Sequence, residues 1–398
     1  MRFVVFTFFF LISLLSSAQS PEAITPLSGD SIHFRNVSLD EGLKMAQAEK
    51  KPVFFMCYAS WCEHCKRMKE EVFKITAVAD YYNKHFVCLK QDMEKGDGII
   101  LHKKFQVRSY PTFVFLDSIG TTLFQSSGEK NDTMMIELGK TALTPTMQYP
   151  YLKQQFEKDL SNSDKCYNYV FALRLAMLDC NEPAQKHLAT QTEAQLLNAV
   201  NWKIIANGIR DINSREFQFV LSHQKEYAAI ASPIRVERKI VNIADEMLSP
   251  FVGLKDSVGY FSRRSLAESI HHPKVDSLLF KYDLAIYQSF GNWNEYRKVA
   301  DKSAEAFAWN NVSLLKEIAN NYVAHVSDTT SLQLAAKWEK RALELNDEYT
   351  PYIVCAKLYQ KAGDKKSAIE MAEKAKSFAL KYGFSHNDAD ALLAELQK

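Results

Sequence analysis

Two cysteines three positions apart, Cys62 and Cys65, have the types and the spacing to do chemistry. An apolar run at residues 53–58 precedes them and a helical pattern follows, so the pair is expected at a turn where a helix begins. Cysteines at positions i and i+3 of a first helical turn can close a small disulfide ring with little movement of the backbone. The spacing therefore predicts a dithiol that exchanges disulfides.

The two sulfurs are expected to have different roles. Cys62 would lie at the helix start, where unpaired N–H groups and the positive end of the helix dipole favour a thiolate. The thiolate is the attacking species, and in such motifs the pKa of the thiol falls from about 8.5 to roughly 3.5–7.5. Cys65 lies one turn further in, so we expect it to be buried and to resolve the mixed disulfide that Cys62 forms.

A second motif, Tyr110-Pro111-Thr112, precedes an apolar strand pattern at residues 113–117. Together with Trp61 before the cysteine pair and Lys66 after it, this motif resembles the thioredoxin superfamily over about residues 30–145. The resemblance implies an α/β thioredoxin fold in this part of the chain.

The resemblance also implies roles for individual residues. Pro111 would follow a cis peptide bond and pack against the redox pair, and Thr112 would present backbone to an extended substrate segment. Trp61 and Tyr110 would lie beside the sulfurs and contact the substrate. No metal or organic cofactor is implied, because the electrons reside in the dithiol.

Two features depart from the superfamily pattern. Thioredoxins carry a buried acid six residues before the first cysteine, where this chain has Met56, and Cys88 stands in place of the accompanying lysine. Between the cysteines lie Glu63 and His64; an imidazole there stabilises the Cys62 thiolate and makes the disulfide more oxidising, whereas Glu63 opposes this effect. We therefore expect a reduction potential between those of a reductase and a dedicated oxidase.

The N-terminal residues predict export from the cytoplasm. Arg2, an apolar stretch at 3–15 and small residues up to Ala18 are typical of a signal peptide at 1–18, and a linker follows at 19–30. An uncleaved anchor is the alternative, but the stretch is shorter than the ~20 residues of a spanning helix. We expect a secreted protein of the periplasm or cell envelope with no membrane span after cleavage. The net charge of +2 gives no reason to expect a nucleic-acid partner.

The order of the patterns predicts three regions. Residues 31–145 are expected to form the thioredoxin-like domain, with one helix over 62–83 after the cysteine turn. Residues 151–275 are predicted to form amphipathic helices, such as one at 193–207. Residues 277–398 show a repeated helical pattern.

The clearest copy of that repeat spans residues 349–381. Tyr352, Ala356, Gly363-Asp364 and Ala368 follow one another at the steps of the tetratricopeptide pattern, and the region resembles tetratricopeptide-like arrays. Such arrays bind peptides or partner proteins in some proteins and act as packed scaffold in others. Both interpretations stay open.

The remaining cysteines are scattered in apolar contexts without the spacing of metal ligands, so each is expected to be a small buried hydrophobe. They are Cys57, Cys88, Cys166, Cys180 and Cys355. Zinc binding by the Cys62–Cys65 pair ranks last, because two further ligands at suitable spacing are lacking.

Two functional hypotheses follow from the sequence. The first is a thiol–disulfide oxidoreductase that acts on protein disulfides, with the reductase or isomerase direction undecided and an envelope protein that recycles the redox pair. The alternative is a binding or adaptor protein in which the helical repeats recruit a partner and the thioredoxin-like domain is non-catalytic or chaperone-like. The loss of an acid at Met56 favours the alternative slightly, whereas the retained cysteines and Pro111 favour the enzyme.

Overall fold

The computed structural model describes residues 31–398, which fall into two compact units. The first unit contains the described residues up to Lys158 together with Phe171–Leu178, and the second contains Asp159–Val170 and Asp179–Lys398. The signal peptide and linker predicted at 1–18 and 19–30 lie outside the described residues. Within residues 31–398, no helix combines the length and the apolar character that crossing a bilayer requires.

The first unit is built on a sheet of five strands in the order β1-β3-β2-β4-β5. Strand β3 is parallel to β1 and β2, whereas β4 is antiparallel to β2 and β5. The strands are β1 (Phe34–Arg35), β2 (Val53–Tyr58), β3 (Val87–Asp92), β4 (Thr112–Leu116) and β5 (Thr122–Ser127). The helices are α1 (Leu39–Glu49), α2 (Glu63–Arg67), α3 (Thr76–His85), α4 (Gly98–Lys104), α5 (Asp132–Leu143) and α6 (Tyr149–Lys158). This mixed α/β sheet confirms the predicted fold class.

Strand β2 lies in the middle of the sheet and is apolar throughout because both of its faces are buried. On one face, Phe54 contacts the rings of Tyr82, Phe113 and Phe115. On the other face, Phe55 packs in a second apolar cluster. This central strand ends at Tyr58, directly before the cysteine turn, so the turn starts from a fixed point.

The helix predicted over 62–83 is interrupted. It consists of α2, one π-helical turn at Met68–Val72, and α3, which begins only at Thr76. Phe73 follows the π-helical turn and is buried against Phe34 and Phe54. Ile75, in an extended conformation, then precedes the new helix. Burial of the Phe73 side chain accompanies this interruption, which the helical pattern of the sequence did not reveal.

The second unit is helical. Its helices, of which α7 continues into the first unit, are α7 (Ser163–Leu175), α8 (Asn181–Leu188), α9 (Glu193–Leu196), α10 (Ala199–Gly208), α11 (Arg215–Ser222), α12 (Gln224–Ile230), α13 (Pro233–Gly253), α14 (Ser257–Glu268), α15 (Pro273–Ser289), α16 (Trp293–Phe307), α17 (Val312–His325), α18 (Thr329–Leu345), α19 (Tyr349–Lys361), α20 (Lys365–Tyr382) and α21 (Asn387–Gln397). The helix predicted at 193–207 is two helices, because the Asn198 side chain accepts hydrogen bonds from the N–H groups of Val200 and Asn201 and starts α10.

The strongest repeat copy, 349–381, forms the adjacent helices α19 and α20. Gly363 adopts a φ of +82°, and Asp364 starts α20 by accepting a hydrogen bond from the Ser367 N–H. Ala356 and Ala368 are fully buried in the same cluster, where a small side chain allows two helices to approach closely. The helices and their turn are where the sequence predicts them, and the tetratricopeptide-like assignment stays a prediction.

Candidate active site

Cys62 and Cys65 are joined by a disulfide across the start of α2, with their Cα atoms 5.3 Å apart. Cys62 is the residue that caps the helix, and its Sγ accepts a hydrogen bond of 3.1 Å from the backbone N–H of Cys65. Both residues are buried, with 3% of Cys62 and 1% of Cys65 exposed. When the pair is reduced, an N–H group aimed at this sulfur favours its thiolate form.

The turn before α2 is held by backbone hydrogen bonds. The Cys62 N–H donates to the Ala59 carbonyl, and the Lys66 N–H donates to the Cys62 carbonyl, each over 3.1 Å. The turn thus carries Cys62 from the end of β2 to the first turn of α2 in one defined conformation.

Pro111 lies at the same end of the sheet. The Tyr110–Pro111 peptide bond is cis, and β4 begins directly after it, with Thr112 paired to Cys57 of β2. The Thr112 side chain is fully buried, and its hydroxyl donates to the Ser109 carbonyl over 2.7 Å. Any contact of Thr112 with a substrate therefore falls to its backbone.

Trp61 connects the cysteine turn to the loop that carries the Tyr110–Pro111 peptide bond, here called the proline loop. Its ring stands nearly perpendicular to that of Tyr110 at 6.0 Å, and 65% of the residue is exposed. The indole Nε1 donates to a Glu94 carboxylate oxygen over 2.8 Å, which fixes the ring. The residues that precede Cys62 and Pro111 are thus in contact and form an exposed aromatic surface beside the disulfide.

His64 contacts two residues that the sequence analysis did not identify. Its Nδ1 lies 2.7 Å from a carboxylate oxygen of Glu129, and Arg67 donates to the same carboxylate through Nε and Nη2. These contacts lower the pKa of Glu129 to about 2, with the Arg67 hydrogen bond as the largest cause. Glu129 is 65 residues from His64, in the loop after β5, so no local pattern points to it.

Whether Nδ1 of His64 carries a proton decides which residue this nitrogen bonds. Arg67 Nη2 also lies 2.7 Å from His64 Nδ1. A protonated Nδ1 donates to Glu129, whereas a bare Nδ1 accepts from Arg67. The Glu129 carboxylate and the Arg67 guanidinium thus bond the same ring nitrogen and hold the imidazole in place.

The position of the buried acid of thioredoxins is apolar here. Met56 is fully buried and pairs with Phe113 across the sheet. Cys88 is buried as well, its thiol donates to the Tyr82 carbonyl over 3.7 Å, and burial raises the pKa of this thiol. Neither residue is equipped to accept a proton from Cys65 at neutral pH.

A disulfide across a helix start, at the same end of the sheet as a cis-proline loop, is the geometry of a thioredoxin-like domain. Residues 39–143 match the thioredoxin-like domain family, and this chain carries such a domain, with the Cys62–Cys65 pair, followed by helices.

Known relatives resemble a part of the chain. The thiol:disulfide interchange protein DsbD of Vibrio vulnificus is 38% identical over 92 residues, which are 22% of this chain and 15% of that protein. Thioredoxin-1 of Drosophila melanogaster is 37% identical over 73 residues, 18% of this chain and 64% of that protein. The solution structure of a putative disulphide-isomerase from Bacteroides thetaiotaomicron is 43% identical and covers 29% of this chain and 95% of that one, with a TM-score of 0.28. The chain thus spans about a seventh of the DsbD relative.

Proposed function

We propose that this protein is a secreted thiol–disulfide oxidoreductase that acts on protein disulfides through Cys62 and Cys65. The observation that carries the proposal is the Cys62 sulfur at the start of α2, accepting the Cys65 N–H while disulfide-bonded to Cys65. A sulfur in this position is a good leaving group in the disulfide and a good nucleophile in the dithiol.

In the reducing direction, the Cys62 thiolate attacks one sulfur of a substrate disulfide. A mixed disulfide forms, and the other substrate sulfur leaves as a thiolate. Cys65 loses its proton to solvent and attacks the Cys62 sulfur, which releases the second substrate thiolate and closes the Cys62–Cys65 disulfide. Two electrons pass from the protein to the substrate, and the oxidising direction is the reverse.

The residues around the pair have supporting roles in this proposal. His64, held by Glu129, stabilises the Cys62 thiolate through its imidazole. Trp61 and Tyr110 contact the substrate beside the sulfurs, and the backbone around Pro111 and Thr112 pairs with it. Because Met56 supplies no acid, the proton of Cys65 leaves through water.

The location and the partners belong to the same proposal. The signal-peptide pattern at 1–18 supports export to the periplasm or cell envelope. A disulfide that forms in substrate reduction must be reduced again, so a second redox protein of that compartment is required. The name of the relative DsbD, thiol:disulfide interchange protein, is consistent with such an exchange.

A single-turnover assay tests the proposal. The dithiol form of the full mature chain, freed of reductant, is mixed with a peptide that contains one internal disulfide, and the products are separated by mass. We expect one peptide disulfide reduced per Cys62–Cys65 disulfide formed. The variant C65S should accumulate the mixed disulfide, and C62S should react with nothing. Peptide reduction by C62S at the wild-type rate would contradict the proposal.

A binding or adaptor function is the second candidate. The observations that favour it are the apolar Met56 in place of a proton acceptor and the helices at 151–275 and 277–398, which lie beyond the thioredoxin-like domain proposed at 31–145. In this case a peptide or protein binds the helical repeats. The double variant C62S/C65S would then retain full biological activity in a strain that lacks the wild-type protein, and under the oxidoreductase proposal it would have none.

A further inference from the structure

A segment that follows the thioredoxin-like domain in the sequence belongs to the first unit. Phe171–Leu178, which includes the end of α7, clusters with the sheet rather than with the helices of the second unit. Tyr149 donates to the carbonyls of Gln125 in β5 and of Ala172 in the segment. The Ser127 hydroxyl, at the end of β5, donates to the Ala176 carbonyl over 3.4 Å. These bonds attach the segment to the edge strand of the sheet.

Met177 brings the segment to the proline loop. Its Sδ accepts a hydrogen bond of 3.2 Å from the hydroxyl of Ser109, 68 residues earlier in the chain and two residues before Pro111. The Ser109 carbonyl in turn accepts a hydrogen bond from Thr112. The Met177 backbone has a φ of +58°, an uncommon conformation for a residue other than glycine. The thioether is thus held against the loop that carries the cis peptide bond.

The segment includes exposed apolar residues. Met177 is 44% exposed, Phe171 is 43% exposed and Leu175 is 39% exposed. Tyr110 separates Ser109 from Pro111, and Trp61 contacts Tyr110, so Met177 and Trp61 both contact residues of the same loop. A thioether adapts its shape to different apolar partners, which suits a surface that meets many substrates.

We propose that Met177 is a specificity-determining residue of the substrate surface. It contacts an apolar side chain next to the reacting cysteine of an extended segment in a protein disulfide. Continuity with the redox site identifies this occupant, because a chain that passes the proline loop to reach Cys62 also passes the thioether that Ser109 holds. This inference rests on the proposed oxidoreductase function and adds a preference for apolar flanking residues.

Two peptides with one internal disulfide each test the inference. They are identical except for Leu or Ser beside one cysteine, and the full dithiol protein reduces each in a single turnover. We expect the wild type to reduce the Leu peptide faster than the Ser peptide. In M177Q the ratio of the two rates should fall about tenfold, which is a small effect for the loss of an apolar contact. Gln keeps the length and the unbranched Cβ of Met, so the backbone at this position is equally tolerated.

Controls separate a specificity role from a structural one. M147Q changes another half-exposed methionine of the first unit and should keep the wild-type preference. S109A frees the thioether and should lower the preference less than M177Q does. Hydroxyethyl disulfide has no flanking residue, so M147Q should reduce it at the wild-type rate, and the ratio of its rate to that of the Ser peptide should be the same in the wild type and in every variant.

The outcomes distinguish the two proposals. An unchanged Leu-to-Ser rate ratio in M177Q, or an equal loss with both peptides and hydroxyethyl disulfide, would overturn the role of Met177 and leave the oxidoreductase intact. A wild-type dithiol that reduces none of the three disulfides would overturn the oxidoreductase proposal, and the role of Met177 with it.

Discussion

Cys62 in the first unit and Cys355 in the second are both buried, yet the sulfur of Cys62 accepts a hydrogen bond and that of Cys355 donates one. The Cys62 Sγ accepts a hydrogen bond from a backbone N–H at the start of α2. The Cys355 thiol, inside α19, donates to the Ala336 carbonyl over 3.7 Å. An N–H donor favours a thiolate, whereas a carbonyl favours a protonated thiol. Reactivity therefore follows from the direction of the hydrogen bond and the position in the helix, not from burial alone.

The other buried thiols resemble Cys355. Cys166 donates to the Pro183 carbonyl, and burial raises the pKa of Cys166 and of Cys355 to about 12. Burial also raises the pKa of Cys57 and Cys88 in the first unit. All of the cysteines predicted to be core residues are buried. One pair of sulfurs thus forms a disulfide, and the other five cysteines are buried free thiols.

Alkylation rates should show the largest difference between the two kinds of cysteine. In the reduced, folded protein at neutral pH, we expect iodoacetamide to modify Cys62 at least about a hundredfold faster than Cys355. The N–H donated to the Cys62 sulfur favours its thiolate, whereas burial raises the pKa of the Cys355 thiol. Quantitative peptide mass mapping over time measures both rates. Denatured protein, in which the two rates should become similar, is the control. Comparable alkylation rates of Cys62 and Cys355 in the folded protein would contradict this difference in reactivity.

Two carboxyl groups extend the comparison to pH. Glu129 in the first unit has partners that lower its pKa, whereas Glu339 in α18 is fully buried and neither of its carboxyl oxygens has a hydrogen-bond partner. Burial raises the pKa of Glu339 to about 7, and Lys316 offsets only part of this effect. The folded protein then holds a proton that the unfolded chain releases above about pH 4.5. Stability therefore falls as the pH rises from about 4.5 to about 7.

We expect this loss in the free energy of unfolding to reach about 3 kcal/mol at most. Urea unfolding at roughly pH 5 and pH 8 measures it. The variant E339Q should remove most of the difference, and E344Q, which changes a largely exposed carboxyl of the same helix, should not. A wild-type protein that gains stability over this pH range would contradict the assignment.

Two glycines, one in each unit, differ in how tightly the atoms around them are packed. A Cβ added to Gly98 would lie 1.9 Å from the Asp92 carbonyl oxygen, so the backbone must shift. We expect G98A to lower the free energy of unfolding by about 1–3 kcal/mol. In α13 of the second unit, a Cβ on Gly253 would meet nothing within 4 Å, and G253A should be neutral or stabilising by up to about 1 kcal/mol. Urea unfolding followed by circular dichroism measures the free energy of unfolding of both variants. Equal changes in G98A and G253A would show that the backbone around Gly98 shifts at no cost.

The sequence predicted the features of this molecule that local patterns encode. The α/β fold, the cysteine pair at a helix start and the turn at Gly363 all depend on neighbouring residues. Glu129 and Met177 were missed because each reaches its partner across more than sixty residues of chain, through the fold of the sheet. The interruption after α2 was missed for a similar reason, since Phe73 packs against rings of β1 and β2.

The smallest expected effect concerns the tuning of the redox pair. H64Q removes the imidazole beside Cys62, and E129Q removes the carboxylate that holds it. Both changes should make the reduction potential more negative, because the Cys62 thiolate loses the imidazole in H64Q and loses the contact that holds that imidazole in E129Q. The loss of an exposed ion pair corresponds to a shift of about 5–20 mV in the reduction potential, and E129Q should give the smaller shift. Equilibration with glutathione measures the potentials, and a shift to more positive values in H64Q would contradict this role.

The most direct test of the account is the same equilibration applied to the wild-type mature protein, with each cysteine assigned by alkylation and mass. We predict one two-electron transition that involves Cys62 and Cys65, with a midpoint between about −270 and −120 mV, while the other cysteines stay reduced. A pair that remains dithiol throughout this range, or a transition that includes another cysteine, would contradict the claim that these two sulfurs alone are the redox centre.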